Sequence, residues 1–254
     1  MSKENTTNAA PVKKSGGALF GAAFLMATSA IGPGFLTQTS TFTSQYLSSF
    51  ATVILCTIIL DIIAQANIWS IIGVSGMRGQ DIANKVLPGL GFVVAFMVAL
   101  GGLAFNIGNV GGAALGFNAL LGIPEKVGCI IAGVIAICIF LSKNATGVMD
   151  KVTKVLAGII LVSIAIVAVA SKPPVGEVAA KVFMPDNPST LLFPMITLLG
   201  GSCGGYIAFS GSHRLIDAGI SGPENIQHIR KSVLTGIGVS GTVRILLFLA
   251  VLGV

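Results

Sequence analysis

The sequence predicts an all-α polytopic membrane protein, and three observations predict it. Mean hydropathy is +0.93. Of the 254 residues, 54% are hydrophobic and only 9% charged, against about 25% charged in an ordinary soluble domain. The apolar residues fall in blocks long enough for helices of about 20 residues, with the charges collected between them. Two of those blocks are interrupted by glycine and proline at mid-length. A membrane β-barrel would show alternating strands of about ten residues, and the chain does not.

Taken in order, residues 18–47, 51–74, 89–117, 127–141, 152–170, 191–212 and 233–254 predict seven spans. A polar tail, residues 1–17, precedes the first span. That span lacks a short apolar core with a small-residue cleavage site, so no removable signal peptide is expected. With the tail inside, eleven Lys and Arg fall in inner segments and three, Lys126, Lys172 and Lys181, in outer loops. Cationic loops resist translocation, so a cytoplasmic N-terminus is expected, with the protein in the plasma (inner) membrane. The formal charge of +6 then records loop orientation rather than nucleic-acid binding. Cys56, Cys129, Cys138 and Cys203 all lie in apolar segments without zinc or disulfide spacing. No cofactor is expected.

In the third span Ala104, Gly108, Gly112 and Gly116 place a small residue at every fourth position, which predicts close approach of another helix. The sequon Asn144-Ala145-Thr146 falls on an inner loop, out of reach of glycosylation. Trp69 reads as an interfacial anchor. His213, His228, Arg214, Arg230 and Lys231 read as solvated or headgroup-facing residues after the sixth span.

The interruptions carry the functional reading. Residues 18–31 make about 20 Å of helix, too short to cross, and Pro33 between Gly32 and Gly34 removes a backbone donor. The residues that follow, from Thr37 through Gln45, are too polar on all sides to face lipid. In the sixth span Gly200, Gly201, Gly204 and Gly205 bracket Ser202 and Cys203 in the same way. Backbone groups freed at such breaks must face protein or a watery cavity. Secondary transporters built from inverted repeats hold their solute where two discontinuous helices meet. On that rule the solute site is predicted at Gly32, Gly34, Phe35, Gln38, Ser202, Cys203, Gly204 and Tyr206. Glycine-assisted packing is the plainer reading of either segment alone.

Asp61 is the one acidic residue placed inside a span, and Thr57, Asp61 and Gln65 share a helical face. It is a candidate for proton or cation coupling, against a carboxyl hydrogen-bonded within the bundle. Arg244, in the last span, is expected to snorkel to an interface, with pairing to Asp61 as the alternative. Asn106 and Asn109 line a polar path or join neighbouring helices.

"GAAFLMATSAIGPGFLTQTS", "GQDIANKVLPGLG", "GLAFNIGNVGGAALGFNALLGIPE" and "LLGGSCGGYIAFSGSH" resemble the first helix, the loop after the second, the third helix and the sixth helix of the NRAMP divalent-metal transporters. The resemblance implies a LeuT-type fold of two inverted five-helix repeats. Residues 18–170 would be the first repeat, 171–190 an extracytoplasmic loop, and 191–254 the first two helices of the second repeat. Broken helices 1 and 6 belong to that pattern. It also implies a chain shorter than the family's, unable to rock one bundle on another by itself.

The departures from the family are chemical. Its metal-binding Asp and Asn fall on Gly32 and Phe35, its sixth-helix Met-Pro-His on Gly204, Gly205 and Tyr206, and a later His on Gly211. Acidic positions associated with proton passage fall on Asn106 and Asn109. Cys203 is the one soft side chain left to hold a metal. The resemblance implies proton-coupled transport of a divalent cation by alternating access. The residues themselves better suit a small organic solute, such as an amino acid or carboxylate. A non-transporting receptor or assembly partner is a third reading. No nucleophile–base constellation suggests an enzyme. Beyond lipid and the transported solute, no partner is implied.

Overall fold

The computed structural model describes residues 16–141 and 145–254. The polar tail before Gly16 and the sequon residue Asn144 lie outside the described residues. Eleven α-helices follow in order: α1 Gly16–Ala30, α2 Pro33–Tyr46, α3 Phe50–Ser75, α4 Gly79–Val86, α5 Leu90–Leu121, α6 Glu125–Leu141, α7 Ala145–Ala170, α8 Val175–Phe183, α9 Leu192–Cys203, α10 Ile207–Asp217 and α11 Ile226–Leu252. Every predicted span is helical. By length and composition alone, four runs among the described residues can cross a membrane: Pro33–Ser75, Leu90–Leu121, Pro188–Asp217 and Pro223–Leu252. A fifth is reached if Gly158–Ala170 and Val175–Phe183, bent by 104°, count as one. The difference from seven has physical causes. α1 is half a span, α6 has only 17 residues, and the first run contains a reversal at Leu47, whose φ is 48°. Phe42 and Phe50 flank that turn with ring centroids 5.9 Å apart. In one straight helix, eight residues would separate them by about 12 Å along the axis.

Both interruptions are present, each displaced from its predicted position. Pro33 does not break a helix; it occupies the first turn of α2, where its missing N–H costs nothing, and the break is Ile31–Gly32. Gly34 and Phe35 are therefore helical. In the sixth span α9 runs through Ser202 and Cys203, and the break is Gly204–Tyr206. Gly205 adopts φ 58° there, a left-handed conformation that a side chain disfavours.

Packing pairs the half-helices crosswise. Ala22 and Met26 of α1, Trp69 of α3, Leu215 of α10 and Ile229, Val233 and Ile237 of α11 form one apolar cluster. Phe42 of α2, Phe50 and Ile54 of α3, Leu198 of α9 and Phe248 of α11 form another. Thus the first half of one broken span shares a core with the second half of the other. A third cluster, Phe35 with Val243 and Leu247, lies beside the first break. α5 packs on α6 and reaches α2, while α7 packs on α6 and α11. These three long helices expose large apolar side chains such as Phe92, Leu103, Ile130 and Ile166, as lipid-facing surfaces do.

Trp69 is fully buried, with 0% exposure, rather than interfacial, and its Nε1 donates to the Ala208 carbonyl at 3.1 Å. The ring serves as core filler whose polar edge has found an acceptor. His213 is half-buried in α10, stacked on Phe209 at 5.6 Å and accepting the Gly79 N–H at 3.2 Å, so it is not a solvated loop residue. Of the small-residue row on α5, Gly112 meets a neighbour, Pro33, whereas Gly108 and Gly116 face open space.

α8 is moored to the start of α3. Thr52 Oγ1 donates to the Lys181 carbonyl at 2.6 Å, Ser49 Oγ donates to Asp186 Oδ2 at 2.9 Å, and Lys181 pairs with Asp186. The Lys181 ammonium, then the Ser49 hydroxyl, hold the exposed Asp186 carboxyl below its ordinary value of 3.8. A depressed carboxylate contributes its tether above the unfolded pKa and loses it as pH falls through the folded one. Amide protection factors across residues 181–191 should therefore fall on acidification below 3.8. Asp186→Asn should show reduced protection at neutral pH and no acid step; an acid step that survives the substitution would remove Asp186 as its cause.

Candidate functional site

The two breaks meet on a cluster of buried polar groups. α3 supplies Thr57, Asp61 and Gln65 on one face, all buried. Gln65 Nε2 donates to Asp61 Oδ1 at 3.2 Å and lies 3.3 Å from the Ser202 carbonyl oxygen, tying α3 to the last turn of α9. The Ser202 hydroxyl donates to the Leu198 carbonyl at 2.9 Å within α9, and Cys203 ends that helix beside the second break. Gln38 of α2 closes toward the same turn: a Cβ at Gly201 would stand 3.0 Å from its Oε1.

Arg244 of α11 completes the cluster. It is 4% exposed, and its guanidinium carbon sits 4.3 Å from the centroid of the Phe35 ring. The snorkelling expectation is thus corrected, because the guanidinium is buried within the bundle against Phe35 of α2 rather than exposed at an end of α11. Arg244 feels the charge of Asp61, but the ion pairs found within 4.0 Å among the described residues are Arg78–Asp217 and Lys181–Asp186. Among the described residues three buried side-chain atoms have no hydrogen-bond partner: Arg244 Nε, Thr39 Oγ1 and Gln65 Oε1. Thr39 lies one turn beyond Phe35 on α2 and is buried with it.

α5 crosses both breaks. Its Gly101 backbone abuts Gly205, Phe105 meets Tyr206 edge-on at 5.8 Å, and Gly112 abuts Pro33. Asn109 fills the space beside Gly32, where a Cβ would lie 2.8 Å from its Oδ1, whereas Asn106, a turn earlier, is exposed. Tyr206 also lines a cleft of about 350 Å³ with Ala95, Val98, Ser210 and His213, running along α10 away from the break.

The predicted residues Phe35, Gln38, Asp61, Ser202 and Cys203 are thus brought together, with Gly32 and Asn109 adjoining at the first break. A Cβ at Gly34 would meet nothing within 4 Å, so this residue adds only backbone. Sequence reasoning missed Arg244, Thr39 and Gln65 as site members. A usable signal existed for the first: Asp61 and Arg244 are the acidic and basic residues that fall at the middle of predicted spans, Lys154 standing only at the edge of one, and such residues face a bundle interior.

Glycines stand at positions where the resemblance implies metal ligands, and two of them, Gly204 and Gly211, abut fixed neighbours, while Gly32 faces the movable amide end of Asn109. A side chain at Gly32 meets Asn109, one at Gly204 meets the Gly200 carbonyl, and one at Gly211 meets the Trp69 ring. Among the described residues no group of three His, Cys, Asp or Glu could hold a metal ion.

Comparison with known proteins gives the fold its relatives. The chain is 56% identical over 236 residues to the uncharacterized membrane protein YcsG of Bacillus subtilis, covering 93% of this chain and 58% of that protein. It is 52% identical over 237 residues to an uncharacterized membrane protein of Haemophilus influenzae, covering 93% and 59%. It therefore spans somewhat over half the length of the curated relatives it matches. Among solved structures, a variant of the Eremococcus coleocola manganese transporter superposes with a TM-score of 0.70 at 17% identity, covering 92% of this chain and 50% of that one. The same transporter in complex with an aromatic bis-isothiourea substituted compound gives 0.69 at 17% identity, covering 93% and 51%. At that identity the likeness shows the fold alone, a LeuT-type transporter architecture. The family model for natural resistance-associated macrophage protein-like proteins matches residues 23–253, and the chain belongs to the Nramp family of integral membrane transporters.

Proposed function

We propose that the complete protein is a secondary transporter that moves a small solute across the plasma membrane by alternating access, with the solute held where the two breaks meet. One observation carries this: both breaks open onto a single buried polar cluster, Asp61, Gln65, Ser202 and Arg244, shielded by α5 and α11. Buried polar groups in a spanning bundle are costly, and they mark solute pathways. In this reading the N-terminus is cytoplasmic, residues 18–170 form one repeat and 191–254 open the other, with 171–190 outside. Phe35, Gln38, Ser202, Cys203 and Tyr206, with the backbone of Gly32, Gly34 and Gly204, surround the solute. Asp61 serves the coupling ion, with Asn109 beside the first break lining its path.

Family membership, and the manganese named for the Eremococcus coleocola transporter, support a divalent cation with proton coupling as cargo. Cys203 and the freed carbonyls of α1 and α9 would be its donors. The filled spaces at Gly32, Gly204 and Gly211 favour a second reading, an organic solute. Flux into proteoliposomes containing the complete protein decides between them. Uptake of Mn²⁺ that is lost in Cys203→Ala supports the metal, and uptake of an organic acid supports the alternative. Failure to move any tested solute under an imposed proton gradient would overturn the transporter reading.

A further inference from the structure

Resting on the transport site proposed above, we infer that its solute is a small organic carboxylate, bound by the guanidinium of Arg244. A charge buried to 4% exposure is strongly unfavourable unless paired. Arg244 has no carboxylate within ion-pair distance among the described residues, and its Nε–H has no acceptor among them. One face of its plane is covered by Phe35, which leaves the donor edge as the side on which a ligand binds. Nε and the adjacent Nη form a fork that matches the two oxygens of a carboxylate.

Asp61 lies beyond ion-pair distance of this arginine. Its carboxylate accepts from Gln65, which ties it to the α9 side of the cluster. The other two partnerless buried atoms are Thr39 Oγ1 on α2, the helix that follows the first break, and Gln65 Oε1 on α3, beside the last turn before the second. A hydroxyl and an amide oxygen are what a small acid with a hydroxyl or amino substituent would engage, while its carboxylate faces Arg244. The amides that open α2 after the break at Gly32 lack helical acceptors and carry a partial positive charge, and they favour an anion in the same place. A divalent cation would meet the opposite: a fixed positive charge stacked on Phe35, and ligand positions whose volume is already taken by Asn109 and Trp69.

The test uses the complete protein in proteoliposomes, with radiolabelled lactate, succinate, alanine and proline, their neutral primary amides, and Mn²⁺ as probes. The expected result is saturable uptake of at least one acid and none of its amide. Arg244→Lys keeps the charge and loses the fork, and should cut that uptake at least about tenfold. Thr39→Val keeps shape, and should raise KM about threefold, as for loss of one neutral hydrogen bond. Thermal stabilisation of the detergent-solubilised wild-type protein by the same acid, and not by its amide, supplies a readout independent of how the variants fold. Uptake of Mn²⁺ with no acid overturns the inference and leaves the transporter reading intact. Acid uptake unchanged in Arg244→Lys, or acid and amide carried equally, also overturns it. No uptake of any probe overturns both.

Discussion

Trp69→Ala should lower the unfolding free energy by about 3–5 kcal/mol, the largest loss expected from any single truncation in this chain. Trp69 is the largest of the fully buried side chains, and it holds four helices at once through contacts with α1, α10 and α11. Gly211 lies so close to its ring that an added Cβ would overlap it, so the backbone of α10 is shaped to the indole. The indole N–H bond to Ala208 also anchors the start of α10, directly after the second break. Trp69→Phe should recover most of the loss, with a residual penalty of about 1 kcal/mol for the missing bond. Denaturation in mild detergent, followed by helical ellipticity, measures both. A loss under about 1 kcal/mol for the alanine variant would mean that the ring is no keystone.

The second large effect is expected at Gly112. Its Cα faces Pro33 so closely that an added Cβ collides with the proline ring, and the collision is with the first residue of α2 rather than with a flexible side-chain end. Gly112→Ala should cost about 1–3 kcal/mol by overpacking. The functional loss should be larger than the stability loss suggests, because the displaced atoms form the rim of the first break. Pairing Gly112→Ala with Pro33→Gly should relieve part of the clash, so the double variant should be more stable than the two single effects add up to. Simple additivity would show that α5 and α2 do not touch there.

Much of this architecture was legible in the order of residues. Apolar blocks marked the helices within a few positions, and the Gly-Pro-Gly and Gly-rich stretches marked two broken spans, since lipid tolerates freed backbone only inside protein. The finer placements were not legible, for reasons that differ by residue. Proline reads as a breaker, yet at a helix start it is favoured, so the first break moved one residue ahead of Pro33. A lone tryptophan near a span end reads as an anchor, and only the facing Gly211 shows that it is core. The four-residue repeat on α5 suggested one continuous seam, whereas α5 spends Gly101 on one break and Gly112 on the other. The mid-span position of Arg244 points to a bundle interior, but what covers it was not legible, because Phe35 of α2 lies some two hundred positions earlier in sequence.

That sequence distance has a consequence for how the protein is made. The Ser232 hydroxyl bonds to the Leu19 carbonyl across 213 positions, and the inner face of α1 is covered by α10 and α11. At roughly 5–20 residues per second, the ribosome needs about ten to forty seconds to deliver those partners after α1 emerges. Through that interval a half-length helix with no core of its own must be held by the insertion machinery or by earlier-made neighbours. Nascent chains released before α11 should accordingly be the forms that quality-control proteases clear first.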